Sequence, residues 1–271
     1  MRFGCCLNMV ASGPDGTGIE AIDRLAEAGY DYAELPLAEM MAMDEREFDR
    51  LAEHVDRSGI PCEVCNNFFP GTMRLTGNGA GLDEAVLYAE KALTRAGILG
   101  AQAVVFGSGK AKNIPFGYPE AEGYAQVVRL LKEINLCAEK KKIIILIEPL
   151  RRAECNLINT FEEGCRLADD VNGNCVKVLV DFYHLTEEKE PLAHVIHGKD
   201  YLYHVHFANP SGRIFPVNEK EADYTAFFDT LKKCGYEKRI SCEAYTADFE
   251  KEAVKTLEFF RRITGCGHSK R

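Results

Sequence analysis

The chain has 271 residues, of which 46% are hydrophobic and 28% charged, as is usual for a soluble globular protein. Its formal net charge of -9 argues against a nucleic-acid partner, because phosphate binding needs a basic surface. No apolar run approaches the length that spans a membrane. The N-terminal stretch MRFGCCLNMVASGPDG has no basic segment followed by a long apolar one, so we expect no signal peptide.

Eleven cysteines are present, although disulfide frameworks belong mainly to short secreted chains. The only CxxC pair is formed by Cys62 and Cys65, within a predicted strand, where the two thiols are expected to face opposite ways. We therefore interpret the cysteines as small, reduced core residues. This interpretation predicts a cytoplasmic protein.

Short apolar runs predict eight β-strands. Several runs are apolar almost throughout, as is typical of parallel strands that are covered on both faces. In chain order they lie at residues 2–8, 30–37, 59–67, 101–109, 142–150, 176–184, 201–209 and 239–245.

Amphipathic stretches between these runs predict helices, the first of which ends at Gly29, a typical helix stop. They lie at residues 17–29, 44–59, 82–97, 119–142, 159–170, 221–235 and 249–264, with a shorter one at 189–198. Eight strands that alternate with about eight helices predict an α/β fold, a (β/α)8 TIM barrel, in a single domain over residues 1–271. A doubly wound open sheet is the alternative, although GPDG at 13–16 is not the GxGxxG expected after its first strand.

Four consecutive predicted strands end in side chains that can bind a metal. Glu148 closes the fifth strand, Asp181 the sixth and Glu243 the eighth, while the seventh carries His204 and His206 two residues apart on one face. Singly, such residues are more often helix caps or hydrogen-bonded core groups. Because active sites of TIM barrels lie at the C-terminal ends of the strands, their coincidence indicates a metal site. Two Glu, one Asp and one His favour Mn²⁺, Mg²⁺ or Co²⁺.

The stretches IEPLRRAECNLINT, VDFYH, HVHFANPSGR and SCEAY resemble the sugar phosphate isomerase/epimerase family, the xylose-isomerase-like TIM barrels. The loop FGSGKAKNIPFGY at 106–118 is similar to the strand-four segment of that family. The resemblance covers nearly the whole chain, and its nearest well-understood members are the ketose 3-epimerases. It implies a small sugar substrate and a divalent metal cofactor, with Mn²⁺ favoured over Mg²⁺ and Co²⁺.

The same resemblance implies a role for individual residues. The metal ligands would be Glu148, Asp181, His206 and Glu243. Substrate hydroxyl groups would be held by Glu154, His184 and Arg213. His206 is thus selected as the ligand, and His204 would line the site or support the ligands. The chain reads FANPSGR after His206, where the ketose 3-epimerases carry a Gly-Glu pair, so the identity of the sugar stays open.

The implied reaction is epimerisation of a ketose at C3 through an enediolate. A metal would stabilise the enediolate oxygen, while Glu148 and Glu243 would lie on either side of the reacting carbon. One glutamate would remove a proton from one face and the other would return a proton to the opposite face.

Other functions remain open at this point. The same site would suit an aldose–ketose isomerase, or a lyase that acts on an oxidised sugar by 3-oxo glycoside deglycosylation or inosose-type dehydration. A non-catalytic sugar-binding barrel is a further alternative. The DNA-cutting branch of the superfamily needs more histidines and a basic groove. We expect no nucleic-acid partner and no membrane contact, and a homo-oligomer stays open.

Overall fold

The computed structural model describes residues 1–265. Over this range eight parallel strands pair in chain order, and the last pairs with the first, so the sheet is a closed barrel. The strands are β1 (Arg2–Cys6), β2 (Tyr32–Pro36), β3 (Cys62–Asn66), β4 (Ala103–Phe106), β5 (Ile144–Ile147), β6 (Val176–Asp181), β7 (Leu202–Phe207) and β8 (Arg239–Cys242). The predicted TIM barrel is confirmed, and the open-sheet alternative is wrong.

Helices connect the strands and cover the outside of the barrel. They are α1 (Ile22–Ala28), α2 (Leu37–Ala42), α3 (Glu45–Ser58), α4 (Leu82–Ile98), α5 (Gly109–Lys112), α6 (Glu120–Lys141), α7 (Phe161–Val171), α8 (Phe182–Glu187), α9 (Leu192–His197), α10 (Thr225–Lys233) and α11 (Phe249–Thr264). Short 3-10 turns occupy Leu7–Val10 and Ile19–Ala21. In the part of the chain that the structure covers, no helix is both long and apolar enough to cross a membrane.

The helix boundaries differ from prediction at several points. The short helices α2 and α5 were not predicted; α2 follows β2 directly, and two residues separate the end of β4 from the start of α5. The sixth strand was predicted to reach residue 184, but it ends at Asp181, whose Oδ1 accepts a hydrogen bond from the amide of Tyr183 (2.8 Å). This side chain caps α8, so the apolar residues after Asp181 form a helical turn rather than more strand.

The prediction that the thiols of Cys62 and Cys65 face opposite ways was wrong. Their sulfur atoms lie 3.9 Å apart, and both side chains are fully buried. In the β2–β3 ladder, Ala33 pairs with Cys62 whereas Glu34 pairs with Val64, so β3 carries one extra residue at this point. Such a bulge breaks the two-residue alternation of side chains along the strand.

The barrel interior changes in character along its axis. At the N-terminal end, Arg2 and Arg239 both pair with Glu63. An apolar layer follows, formed by Tyr32, Val64, Ala103, Val105, Leu146 and Leu179. Buried polar side chains appear toward the C-terminal ends of the strands, among them Glu34 and His206. The N-terminal end of the barrel is therefore closed, and its C-terminal end is polar. Active sites of this fold lie at the C-terminal end.

Candidate metal centre and active site

Four predicted side chains converge at the C-terminal ends of β5 to β8. Asp181 and His206 lie in β6 and β7, and Glu148 and Glu243 directly follow β5 and β8. Each of the four offers one ligand atom, these atoms all lie within 4.8 Å of one another, and all four residues are buried. The residues that the sequence singled out as metal ligands are therefore brought together.

The imidazole of His206 has a fixed orientation in this cluster. Its Nε2 lies 2.8 Å from Oε1 of Glu34, a carboxylate one layer deeper in the barrel. Its Nδ1 lies 3.0 Å from Oε1 of Glu148 and 3.2 Å from Oε2 of Glu243. Carboxylate oxygens accept hydrogen bonds, so Nε2 carries a hydrogen, and Nδ1, which faces two further carboxylates, either carries a second hydrogen or shares a cation with them.

Asp181 supplies an independent reason to place a cation here. Its Oδ2 is buried without a hydrogen-bond partner, 3.4 Å from Nε2 of His184 and 3.6 Å from a guanidinium nitrogen of Arg213. Buried acceptors are rarely left unpaired. Three carboxylates and one imidazole fit a divalent ion that prefers oxygen ligands, such as Mn²⁺, Mg²⁺ or Co²⁺.

The electrostatics of the cluster reflect crowded negative charge. Burial raises the pKa of Asp181 to about 7; Arg213 opposes this shift and Glu243 adds to it. Burial and the carboxylate of Glu243 also raise the pKa of Glu148. Burial disfavours ionisation of Glu243, but Arg213 and His206 outweigh it and lower the pKa of Glu243 well below its usual range. A bound cation would relieve the repulsion between these groups.

Arg213 reaches the cluster from the loop after β7. Its guanidinium donates a hydrogen bond to Oε2 of Glu243 and lies 3.9 Å from Oε1 of Glu154. The residue has a φ of 51°, which is uncommon outside glycine, and its carbonyl accepts a hydrogen bond from the amide of Tyr245 (2.8 Å). A strained backbone that the neighbouring segment holds in place is typical of functional sites. The structure thus brings Arg213 next to Glu243 and Glu154 at the edge of the cluster.

His184 lies beside Asp181 as a neutral imidazole. Its Nδ1 accepts a hydrogen bond from the amide of Arg151 (3.3 Å), so its Nε2 carries the hydrogen and is directed toward Asp181. Burial, followed by the charge of Arg213, lowers the pKa of His184 to about 3. His184 can therefore donate a hydrogen bond at the cluster without adding charge.

A cavity of about 350 Å³ opens above the cluster, a size typical of small-molecule sites. On the cluster side it is lined by Glu148, Glu154, His184, Arg213 and Glu243, and on the far side by Glu39, Asn67, Phe69, Pro70 and Lys110, among others. Cavities of about 400 to 520 Å³ also lie elsewhere on the surface, but their walls do not include this cluster. His204 lies deeper in the barrel and is not part of the cavity wall.

The position of Glu148 depends on a neighbouring glycine. A Cβ atom at Gly107 would lie 2.2 Å from Oε2 of Glu148, so any larger residue must push this carboxylate aside. We expect Gly107→Ala to fold but to bind metal more weakly, by about 10-fold or more, since a displaced ligand costs at least as much as a lost supporting contact. Titration calorimetry with Mn²⁺ checks this.

Gly97, in α4, is the matched control, because an added Cβ would meet no atom within 4 Å. Gly97→Ala should leave metal affinity unchanged and stabilise the helix by about 1 kcal/mol. Equal metal affinities in both variants would show that Gly107 does not position Glu148.

Sequence reasoning missed Glu34, which is fully buried below His206. Its Oε2 accepts hydrogen bonds from Nε2 of His204 (3.1 Å) and Oγ of Ser241 (2.6 Å). Since the hydroxyl hydrogen of Ser241 points to Glu34, the hydroxyl of Tyr32 donates to Ser241 (2.8 Å). A carboxylate inside an apolar strand was the available signal, because a buried charge needs partners.

The fold agrees with the family to which the chain belongs. Residues 22–263 match the model of the xylose isomerase-like TIM barrel family, and the chain is a member of that family. The resemblance seen in the sequence is therefore confirmed.

Two curated relatives and one solved structure illustrate the likeness. The chain is 28% identical over 108 residues to the 3-dehydro-D-guloside 4-epimerase of Escherichia coli (strain K12), a match that spans 40% of this chain and 40% of that protein. It is 24% identical over 258 residues to a ketose 3-epimerase of Arthrobacter globiformis, covering 91% and 84% of the two chains. A crystal structure of D-psicose 3-epimerase in the presence of D-fructose superposes with a TM-score of 0.84 at 21% identity, covering 98% of this chain and all of that one. At this identity the superposition shows the fold.

Proposed function

We propose that this protein is an epimerase that depends on a divalent metal and inverts C3 of a ketose. The observation that carries the proposal is the buried cluster of Glu148, Asp181, His206 and Glu243 at the floor of a sugar-sized cavity. The similarity to epimerases, which covers most of the Arthrobacter ketose 3-epimerase, supports the same class of reaction. Mn²⁺ is the ion that we propose, with Mg²⁺ and Co²⁺ as alternatives.

All four cluster residues would bind the metal, and two of them would also transfer protons. A divalent ion held by the four side chains would stabilise negative charge that develops on a substrate oxygen. Glu148 and Glu243 both line the cavity, and they come from strands that lie three apart in the barrel. One carboxylate takes the proton from C3, and the other delivers a proton to the opposite face. The configuration at C3 is thereby inverted, and the two glutamates exchange roles in the reverse direction.

Three further cavity residues would orient the sugar. Arg213 and His184 supply N–H donors beside the cluster, and Glu154 supplies an acceptor that is one third exposed. Such contacts hold a substrate hydroxyl and carbonyl in register with the two glutamates. His204 would not contact the sugar; it would support the metal ligand His206 indirectly, by donating a hydrogen bond to Glu34. The cytoplasmic location that we predict from the cysteines stays a prediction.

A panel of substrates tests the reaction class. Protein that has been stripped of metal and reloaded with Mn²⁺ should convert a free ketose such as D-fructose, D-psicose or L-ribulose into its C3 epimer, detected by chromatography. Chelation should abolish turnover and Mn²⁺ should restore it. An aldose product would instead identify an aldose–ketose isomerase.

The E. coli relative is named for an oxidised sugar, a 3-dehydro-guloside. This favours a second candidate function, an enzyme that acts on 3-oxo glycosides. In this alternative the same two carboxylates act next to the carbonyl group of a 3-oxo glycoside and either invert a neighbouring carbon or expel a substituent. Turnover of 3-oxo glycosides together with complete inertness toward free ketoses would replace the first proposal with this one.

A further inference from the structure

We infer that Glu34 is a positioning residue that sets the metal affinity of the centre by holding His206 with Nε2 protonated and Nδ1 directed at the cluster. This inference rests on the proposed metal centre but not on the identity of the sugar. Glu34 itself is fully buried in β2, and the cavity wall does not include it.

The contact between Glu34 and His206 leaves the imidazole a single useful orientation. Oε1 of Glu34 lies 2.8 Å from Nε2, and both groups are fully buried. A ring flip would turn carbon atoms toward the carboxylate and lose a charge-assisted hydrogen bond in a region that water does not reach. The nitrogen that remains, Nδ1, is the one that lies 3.0 Å from Glu148 and 3.2 Å from Glu243.

Glu34 is in turn held by a network of its own. His204 and Ser241 both donate to its Oε2, and Tyr32 donates to Ser241. The carboxylate thus receives three donors, one on Oε1 and two on Oε2. This network explains why two histidines lie two residues apart on β7: both face the interior, and both share one carboxylate.

The arrangement has a consequence for metal binding. A carboxylate that accepts from the far nitrogen of an imidazole fixes its tautomer and makes the ligating nitrogen more basic. An amide at position 34 cannot accept all three donors, because it offers one oxygen and places its NH₂ group against at least one of them. We therefore expect a weaker metal centre in a chain whose fold is retained.

Two measurements test this. In titration calorimetry, Glu34→Gln should bind Mn²⁺ about 10- to 100-fold more weakly than the wild type. Ser241→Ala is the comparison variant, since it removes one donor to Oε2 but keeps the contact between Oε1 and His206, and it should weaken Mn²⁺ binding clearly less than Glu34→Gln does. Glu250→Gln, at a surface residue of α11, is the control for the change in charge and should bind Mn²⁺ like the wild type. Nitrogen NMR of the wild-type protein with diamagnetic Mg²⁺ should show His206 protonated at Nε2 and shifted by the metal at Nδ1.

Several results would overturn the inference. Wild-type affinity in folded Glu34→Gln, or a proton on Nδ1 with metal at Nε2, would remove Glu34 from its role. Two ions bound per chain would mean that Cys6, Glu34 and His206, whose ligand atoms also lie close together, form a second metal site instead. If Glu34→Gln fails to fold, the NMR result on the wild-type chain decides whether His206 is protonated at Nε2 and binds the metal through Nδ1. A wild-type protein that binds Mn²⁺ but epimerises no ketose would refute the proposed function and leave this test intact.

Discussion

Glu243→Gln is expected to lower turnover by about 100- to 10,000-fold, the range that a positioned acid or base contributes. The amide keeps the shape of the side chain and still offers an oxygen to a metal and to Arg213, which now donates to Oε2. It cannot take up a proton, so one half of the proposed proton exchange is lost. Steady-state kinetics with the reactive ketose, alongside Mn²⁺ analysis and thermal unfolding, checks this.

Glu250→Gln is a suitable control for the change in charge. Glu250 lies on the surface in α11, where it pairs with Arg24, and both side chains are more than half exposed. This variant should keep wild-type turnover. Glu243→Gln with turnover near wild type would show that another group handles the proton, and the roles assigned to the two glutamates would then be wrong.

Asp181→Asn is expected to bind the metal more than about 100-fold more weakly than the wild type, because the substitution removes a charged ligand rather than a supporting contact. Its amide oxygen can still cap α8 through the hydrogen bond to the amide of Tyr183. The variant should therefore retain the stability of the metal-free protein. Elemental analysis and calorimetry measure the metal, and thermal unfolding in chelator measures the stability.

A substitution at the neighbouring residue, Phe182, should instead change the stability and leave metal binding intact. Phe182 packs on the outer face, with its ring stacked on Phe207 at 4.8 Å and close to Phe227 at the same distance. Phe182→Leu should lower the free energy of unfolding by about 1 to 2 kcal/mol and leave metal content unchanged. Loss of metal in Phe182→Leu together with retention in Asp181→Asn would contradict the proposed ligand set.

Strands and ligands could be predicted because each follows from a local pattern. Apolar runs such as KIIILI give strands that are covered on both faces. In a closed parallel barrel their C-terminal ends meet at one level, which collects Glu148, Asp181, Glu243 and a histidine of β7. The strand pattern did not separate His204 from His206, and the family resemblance was needed to choose His206.

What the sequence did not reveal depends on contacts between distant segments. The bulge that brings Cys62 and Cys65 together arises from the register between β2 and β3, which no local pattern encodes. The role of Glu34 was not predicted because its partners, His204 and His206, lie 170 and 172 residues away in the sequence. A buried carboxylate needs partners, so Glu34, inside the apolar run of β2, was the one local sign of this network.

If two opposed carboxylates exchange a proton at C3, hydrogen from the solvent must enter the product at that carbon. The Mn²⁺-loaded protein would be incubated with its ketose in D₂O and the products examined by proton and carbon NMR. We expect an epimerised product that carries one deuterium at C3. Product without deuterium, deuterium at C1 instead, or cleavage of the sugar with no inverted product would contradict it.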